Sequence, residues 1–405
     1  MDKSLLILGA GRGQVGLIKA SKRLGYNTIV ASIRGNYPGF SEADNIVYAD
    51  ITDKDSILKT AQMNSVCGVA SSCIDLPLPA QGYVNDTLGL TGISYNSAIL
   101  STNKYLMKKA LISAGVSTPK YCKITSLREL KKSLQTFDMP VMIKAVDQQG
   151  SKGVGAARTN EEAEEAYKKA MLATDLDYCI LEECIEGHEF GCNAMIYKGE
   201  VIFILPAGNI SVNRNIMVTV GHYMPLEFTA EVDKKINEQM TRGIHALGLD
   251  NCVVNADLMV QDGKIYILEI TGRQGANALP EIISARYNID MYEIIARLAA
   301  NDMGDFDLEI FNYPREITCL AEMMISEDRG IIEDVSMDQN ALGKIKGVKS
   351  VAVFKKKGDP VNYFMNPADC IGQIVVEGKD MNECKASIAE VRRCIKFRID
   401  KSVSL

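Results

Sequence analysis

The sequence predicts a multidomain chain of α/β and α+β architecture. Three observations carry this: strands alternating with helices over residues 5–70, a mixed stretch over 111–182, and a strand-rich run over 189–271 closed by a tight turn. Alternation of strand and helix implies a parallel sheet with crossover helices.

Leu5–Leu8 is a short apolar run and reads as a buried strand. The turn GAGRGQVG follows, then a helix over Val15–Leu24 stopped by Gly25, then a strand over Thr28–Ala31. Further strands are expected at Ile46–Tyr48 and Val66–Ala70, with a helix at Asp55–Met63 between them. This places one domain over residues 1–110.

A helix over Lys104–Ala114 ends at Gly115 and Pro119. Ser126 with Glu129 has capping-box spacing and opens the next helix. Val141–Ala145 reads as a strand, Thr159–Glu162 as a helix start, and Asp177–Glu182 as another strand. Residues 111–182 therefore form a small lobe of a second domain, 111–308. The rest of that domain has a helix over Ala230–Leu247, a turn at Asp262–Gly263 between VVNADLMV and IYILEI, and a closing helix over Met291–Ala300. Residues 309–405 form a third, α+β domain, with a helix capped by Asp380 and running to Cys394.

The chain has 405 residues, 47% hydrophobic and 24% charged, as globular proteins are. A net charge of −6 argues against a nucleic-acid binder, which needs a basic surface. Eleven cysteines occur singly, without a CxxC pair, and read as small apolar residues in a reducing compartment. The first residues are too briefly apolar for a signal peptide, and no stretch approaches the roughly 18 apolar residues of a membrane span. A cytoplasmic protein is expected.

Four segments could carry chemistry. Lys144 ends a strand and is followed by Gly150-Ser151-Lys152-Gly153, which is either a phosphate-closing loop or an ordinary hairpin with a solvated lysine. Glu182, Glu183, Glu186 and Glu189 form either a solvated acidic strand end or a connection that recognises a nucleoside through its backbone. Asp257 and Glu269 lie on consecutive strands, and Glu269, Thr271 and Arg273 share strand parity. Two adjacent acids repel unless a cation sits between them, and magnesium takes oxygen ligands of this kind. Arg273 adds a planar donor fork for phosphate or carboxylate. The glycine-rich turn is the fourth. It suits a dinucleotide, but the second strand ends Ala31-Ser32-Ile33-Arg34, without the acid that would hold a ribose.

Taken in order, Lys104, Lys144, GSKGVG, EECIEGHE, Asp257 and EITGR resemble the ATP-grasp superfamily of carboxylate–amine ligases, and EITGRQGANALPE is most similar to its amino-acid-ligase branch. The resemblance implies a Rossmann-like pre-ATP-grasp domain, a two-lobed ATP-grasp domain and a C-terminal α+β unit. It implies ATP and one or two magnesium ions, replaceable by manganese, with small-molecule carboxylate and amine substrates. The oligomeric state stays open, with a homodimer as the expectation. Lys104 and Lys144 would contact ATP phosphates, Gly150, Ser151, Lys152 and Gly153 would form the lid, and Glu183, Ile185 and Glu189 would recognise the nucleoside. Asp257 and Glu269 would bind the metal. Arg273, with Lys144, would be catalytic, and Arg273, His222 and Gly275 would face substrate. Many relatives carry Asn where this chain has Thr271, and a hydroxyl is a poorer magnesium ligand than an amide oxygen. A nicotinamide-dependent oxidoreductase using the glycine-rich turn and a non-catalytic nucleotide-binding module are the competing readings.

The metal reading makes a geometric demand. Asp257 and Glu269 share a face if they pair directly. A two-residue Asp-Gly turn, favoured at Asp262-Gly263, pairs Asp257 with Leu268 instead, unless a bulge restores the register.

Overall fold

The computed structural model describes residues 3–213 and 217–402, which pack as two compact units. The first contains Met1–Leu205, Phe228–Ala276 and Asp290–Leu308, and the second Pro206–Glu227, Asn277–Ile289 and Glu309–Leu405.

In the first unit, strands Ser4–Leu8, Asn27–Ser32, Asn45–Tyr48 and Gly68–Ala70 form a parallel sheet, with Ser4–Leu8 between the second and fourth. Leu6, Leu8, Ile29, Ala31 and Val69 pack on Ile57 and Ala61 of the helix Lys54–Met63. The helix Arg12–Arg23 leaves the glycine-rich turn. A Cβ on Gly16 would stand 2.3 Å from the Tyr292 ring, and one on Gly13 would stand 2.6 Å from Cys73 Cβ. These two glycines admit protein neighbours, which is a packing use rather than an opening for a dinucleotide.

The segment 121–183 folds into an antiparallel sheet of order Tyr121–Ile124, Cys179–Glu183, Val141–Ala145, Val154–Ala157. Val141, Ile143, Ala157, Cys179 and Leu181 face the helices Leu127–Ser133 and Asn160–Ala173 and form the core. Lys144 and Glu182 are left on the other face. The N-caps act as expected: Ser126, Thr159 and Asp380 each accept from the amide three residues on. The reciprocal glutamates reach one residue further back than a capping box requires, to the amides of Thr125, Arg158 and Lys379.

The first unit also holds Lys264–Thr271, Cys252–Gln261, His188–Tyr197 and the start of Glu200–Asn213, adjacent in that order. The helix Ala230–Ala246 packs on this sheet through Ile236, Met240 and Ile244. Alternating Val254, Ala256 and Leu258 are buried, which turns Asn255 and Asp257 to the opposite face.

The second unit is an antiparallel sheet in which Met217–Met224, Thr318–Met324, Gly372–Gly378 and Val348–Val353 follow the end of Glu200–Asn213. A smaller sheet joins Pro360–Val361, Gly330–Met337 and Ile395–Asp400. The helix Met381–Cys394 buries Cys384, Ile388 and Val391 against Leu320, Ile374 and Val376. All eleven cysteines are free thiols. Among the described residues, no helix is long and apolar enough to cross a membrane.

Candidate active site

The hairpin Cys252–Gln261 and Lys264–Thr271 turns through two residues, Asp262 and Gly263, both at positive φ (50° and 70°), so that Gln261 pairs with Lys264. This is the turn that the Asp-Gly pair favours. From it the register runs to Leu258 opposite Ile267, then shifts by one residue, and Asp257 stands opposite Glu269. Leu268 is the unpaired extra residue of a β-bulge. The short turn and the shared face therefore coexist.

Glu189 lies on the third strand, two residues from Gly191, which pairs with Asp257. Glu189, Asp257 and Glu269 thus belong to one face. Burial, reinforced by the Glu269 and Glu189 carboxylates, pushes the Asp257 carboxyl up to about 7. A facing carboxylate pair, made of hard oxygens, fits a divalent cation with water and phosphate oxygens filling the remaining positions. No group of three or more His, Cys, Asp or Glu suited to a metal occurs among the described residues. The Lys104 ammonium donates to Glu269 Oε1 at 3.0 Å and to the Gln148 carbonyl at 2.7 Å, partly neutralising the pair.

Lys144 lies diagonally across from Glu182 on adjacent strands, and its Nζ is 2.7 Å from Glu182 Oε2. Lys108, fully buried, stands on the other side, 3.3 Å from Glu182 Oε1, and donates to Thr118 Oγ1 at 2.9 Å. Burial would raise the Glu182 carboxyl, but the two lysines outweigh it and hold it below the ordinary range. Burial would likewise lower Lys144, but Glu182 keeps its ammonium above the usual value. Lys108 is pushed down to about 8 by burial, against the pull of Glu182. Lys108 escaped the sequence reading, although it follows Lys104 by one helical turn and so points the same way.

Arg273 Nε and Nη2 donate to Asp75 Oδ1 and Oδ2 at 2.5 and 3.0 Å, and Nη1 donates to the Gln274 carbonyl at 3.2 Å. A guanidinium has five N–H groups, so one on Nη1 and one on Nη2 remain. Burial opposes the charge on Arg273, but Asp75 holds it firmly cationic. Asp75 also escaped the sequence reading; its one signal is an acid inside the apolar run CIDLPLP. Its amide donates to Gln149 Oε1 at 2.8 Å, which ties it to the loop before Gly150.

Gly150, Ser151 and Lys152 are exposed, and Gly150, Ser151 and Gly153 all have positive φ. Glu183 and Glu189 are exposed, whereas Ile185 is buried. The Gly275 carbonyl accepts from the Cys73 thiol at 3.4 Å. His222 belongs to the second unit, buried, with Nδ1 3.0 Å from Asn209 Oδ1. An oxygen only accepts, so Nδ1 carries the proton, and burial pushes the imidazole down to about 4.

Residues 102–278 match the phosphoribosylglycinamide synthetase ATP-grasp (A) domain, and residues 322–400 match the L-amino acid ligase C-terminal domain 2. A crystal structure of phosphoribosylglycinamide synthetase from Anaerococcus prevotii is 35% identical, covers 99% of this chain and 100% of its own, and superposes with a TM-score of 0.82. The L-amino acid ligase from Bacillus licheniformis has the same fold at 19% identity, with a TM-score of 0.82 and coverage of 98% and 99%. A D-alanine–D-alanine ligase of Fusobacterium nucleatum subsp. nucleatum is 27% identical over 219 residues, 51% of this chain and 70% of the relative.

Proposed function

The chain belongs to the ATP-grasp superfamily of carboxylate–amine ligases, and on that premise we propose a nucleotide site built around the Asp257–Glu269 hairpin. The enzyme is an ATP-dependent ligase: a carboxylate is activated as an acyl phosphate and joined to an amine, with release of ADP and phosphate. ATP is used with magnesium, and the substrates are small molecules. The oxidoreductase reading finds no support.

In our reading Asp257 and Glu269 hold one or two divalent ions, magnesium or manganese. The bound cation neutralises charge on the phosphates being transferred. Lys144, kept charged by Glu182, and Lys104, at the edge of the acid pair, take phosphate oxygens. Gly150, Ser151, Lys152 and Gly153 close over the phosphates and keep water from the acyl phosphate. The Glu183 carbonyl and Ile185 amide read the base, and Glu189 holds the ribose. Arg273 presents its remaining N–H groups to the transferring phosphoryl group and the acyl phosphate while Asp75 fixes its plane. Gly275 completes the substrate side. Phosphoryl transfer needs positioned charge more than a protein nucleophile, and this set supplies it.

The domains assigned to these roles are 1–110, 111–308 and 309–405. A reducing cytoplasmic setting, supported by eleven free thiols, and a homodimer complete the reading. Amino acids are the first substrate class to examine, given the names of two of the similar proteins.

The observation that carries this reading is the direct opposition of Asp257 and Glu269 in the same unit as Lys104, Lys144 and Arg273. Phosphate release from ATP, measured across amino-acid pairs with magnesium, tests it. Release should need a carboxylate and an amine together and should vanish in Asp257→Asn; unchanged release in that variant would overturn the assignment.

A further inference from the structure

Two carboxylates supply few of the oxygens that a magnesium ion needs, because its geometry is near-octahedral. The row of the sheet next to the acid pair is polar and uncharged. Asn193, Asn255 and Thr271 lie directly opposite one another on three adjacent strands, two residues from Gly191, Asp257 and Glu269. The two rows therefore share a face and are ~6.8 Å apart along the strands.

The members of this row differ in what they can offer. Thr271 is 2% exposed, and its hydroxyl turns onto the Asn255 carbonyl at 3.5 Å. The Asn255 side chain is half-buried, and its amide has no hydrogen-bond partner among the described residues. Asn193 is fully buried, and its Oδ1 accepts from Gln274 Nε2 at 3.3 Å. That bond leaves Asn193 Nδ2 and Gln274 Oε1 buried without partners. Buried, unmade amide bonds are uncommon in folded proteins and point to a missing polar guest. Gly191 places no side chain beside Asp257 on that strand.

We propose that Asn255 supplies the amide oxygen that completes the divalent-cation site begun by Asp257 and Glu269, in the role that Thr271, turned inward, does not fill. The Asn193 Nδ2 and Gln274 Oε1 groups then hold water in the outer coordination sphere, which magnesium retains readily. The inference rests on the cation-site reading of the acid hairpin.

Manganese binding to the full chain, with ADP present, tests it by the resonance signal of the free ion and by titration calorimetry. Asn255→Leu should weaken manganese binding at least tenfold, with ADP affinity in the absence of metal unchanged. Asn255→Asp, which keeps an oxygen there, should bind manganese as tightly as the native chain or more tightly. Thr271→Asn in the Asn255→Leu background should recover binding, because it returns an amide oxygen from the facing strand. Native manganese affinity in Asn255→Leu, alongside loss of affinity in Asp257→Asn, would overturn the role of Asn255 alone. Native affinity in Asp257→Asn would remove the cation site itself.

Discussion

Asp257 and Glu269 stand directly opposite each other although a two-residue turn joins their strands, because Leu268 is left out of the ladder. The turn sets one register near its tip, and the bulge sets another at the acids. The consequence is testable through Leu268 itself. Deleting it should leave Asp257 opposite Glu269, because Glu269 then follows Ile267 directly and the ladder runs unbroken from the turn. Manganese binding should therefore survive the deletion in a chain with unchanged far-ultraviolet dichroism. Its loss with the fold intact would overturn the direct opposition of the two acids as the basis of the site.

Asp75 accepts from Arg273 Nε and Nη2, two donors on one edge of the guanidinium. Asp75→Asn should lower kcat by about 10- to 100-fold, because a displacement of about an ångström in a positioning group costs that much. The KM for ATP should stay near native. Arg273→Lys should do no better than Arg273→Ala, since an ammonium cannot reproduce the fork. A Lys variant with near-native turnover would show that only charge is needed.

Glu182 serves two ammonium groups, that of the fully buried Lys108 and that of the partly buried Lys144. Glu182→Gln should destabilise the fold by roughly 3–5 kcal/mol, because it leaves charge buried without its counter-charge. Lys108→Met should cost less, as Lys144 still neutralises Glu182. Urea unfolding of the two variants measures the order, and equal midpoints would contradict it.

His222 links stability to pH. Unfolded histidine takes up its proton near pH 6.5, whereas the buried imidazole resists until about 4. Between these values the unfolded state binds more protons, so the full stability is present above pH 6.5 and falls as pH drops through the window. The loss approaches about 3 kcal/mol at the lower end. Comparing native protein with His222→Gln at pH 7.5 and 5 isolates this contribution from the carboxylates. The native chain should lose more, and parallel losses would refute the buried, neutral state.

The sequence by itself determined the local devices and the order of the chemical groups. Ser126, Thr159 and Asp380 cap their helices because a cap needs only an amide three residues away. Asp262-Gly263 makes its turn because positive φ is a local requirement. Lys144, Asp257, Glu269 and Arg273 stood out from residue type and strand position, and Lys104, at a helix start, only through the family resemblance. Tertiary structure alone decided what these groups meet. The bulge at Leu268 is fixed by pairing across three strands, which no periodicity within one strand encodes. Asp75 and Arg273 are 198 residues apart, and Lys108 meets Glu182 across a helix–sheet junction. Such partners are chosen by burial: a charge removed from water takes whichever counter-charge the folded chain brings within reach, and that choice does not exist until the chain has folded.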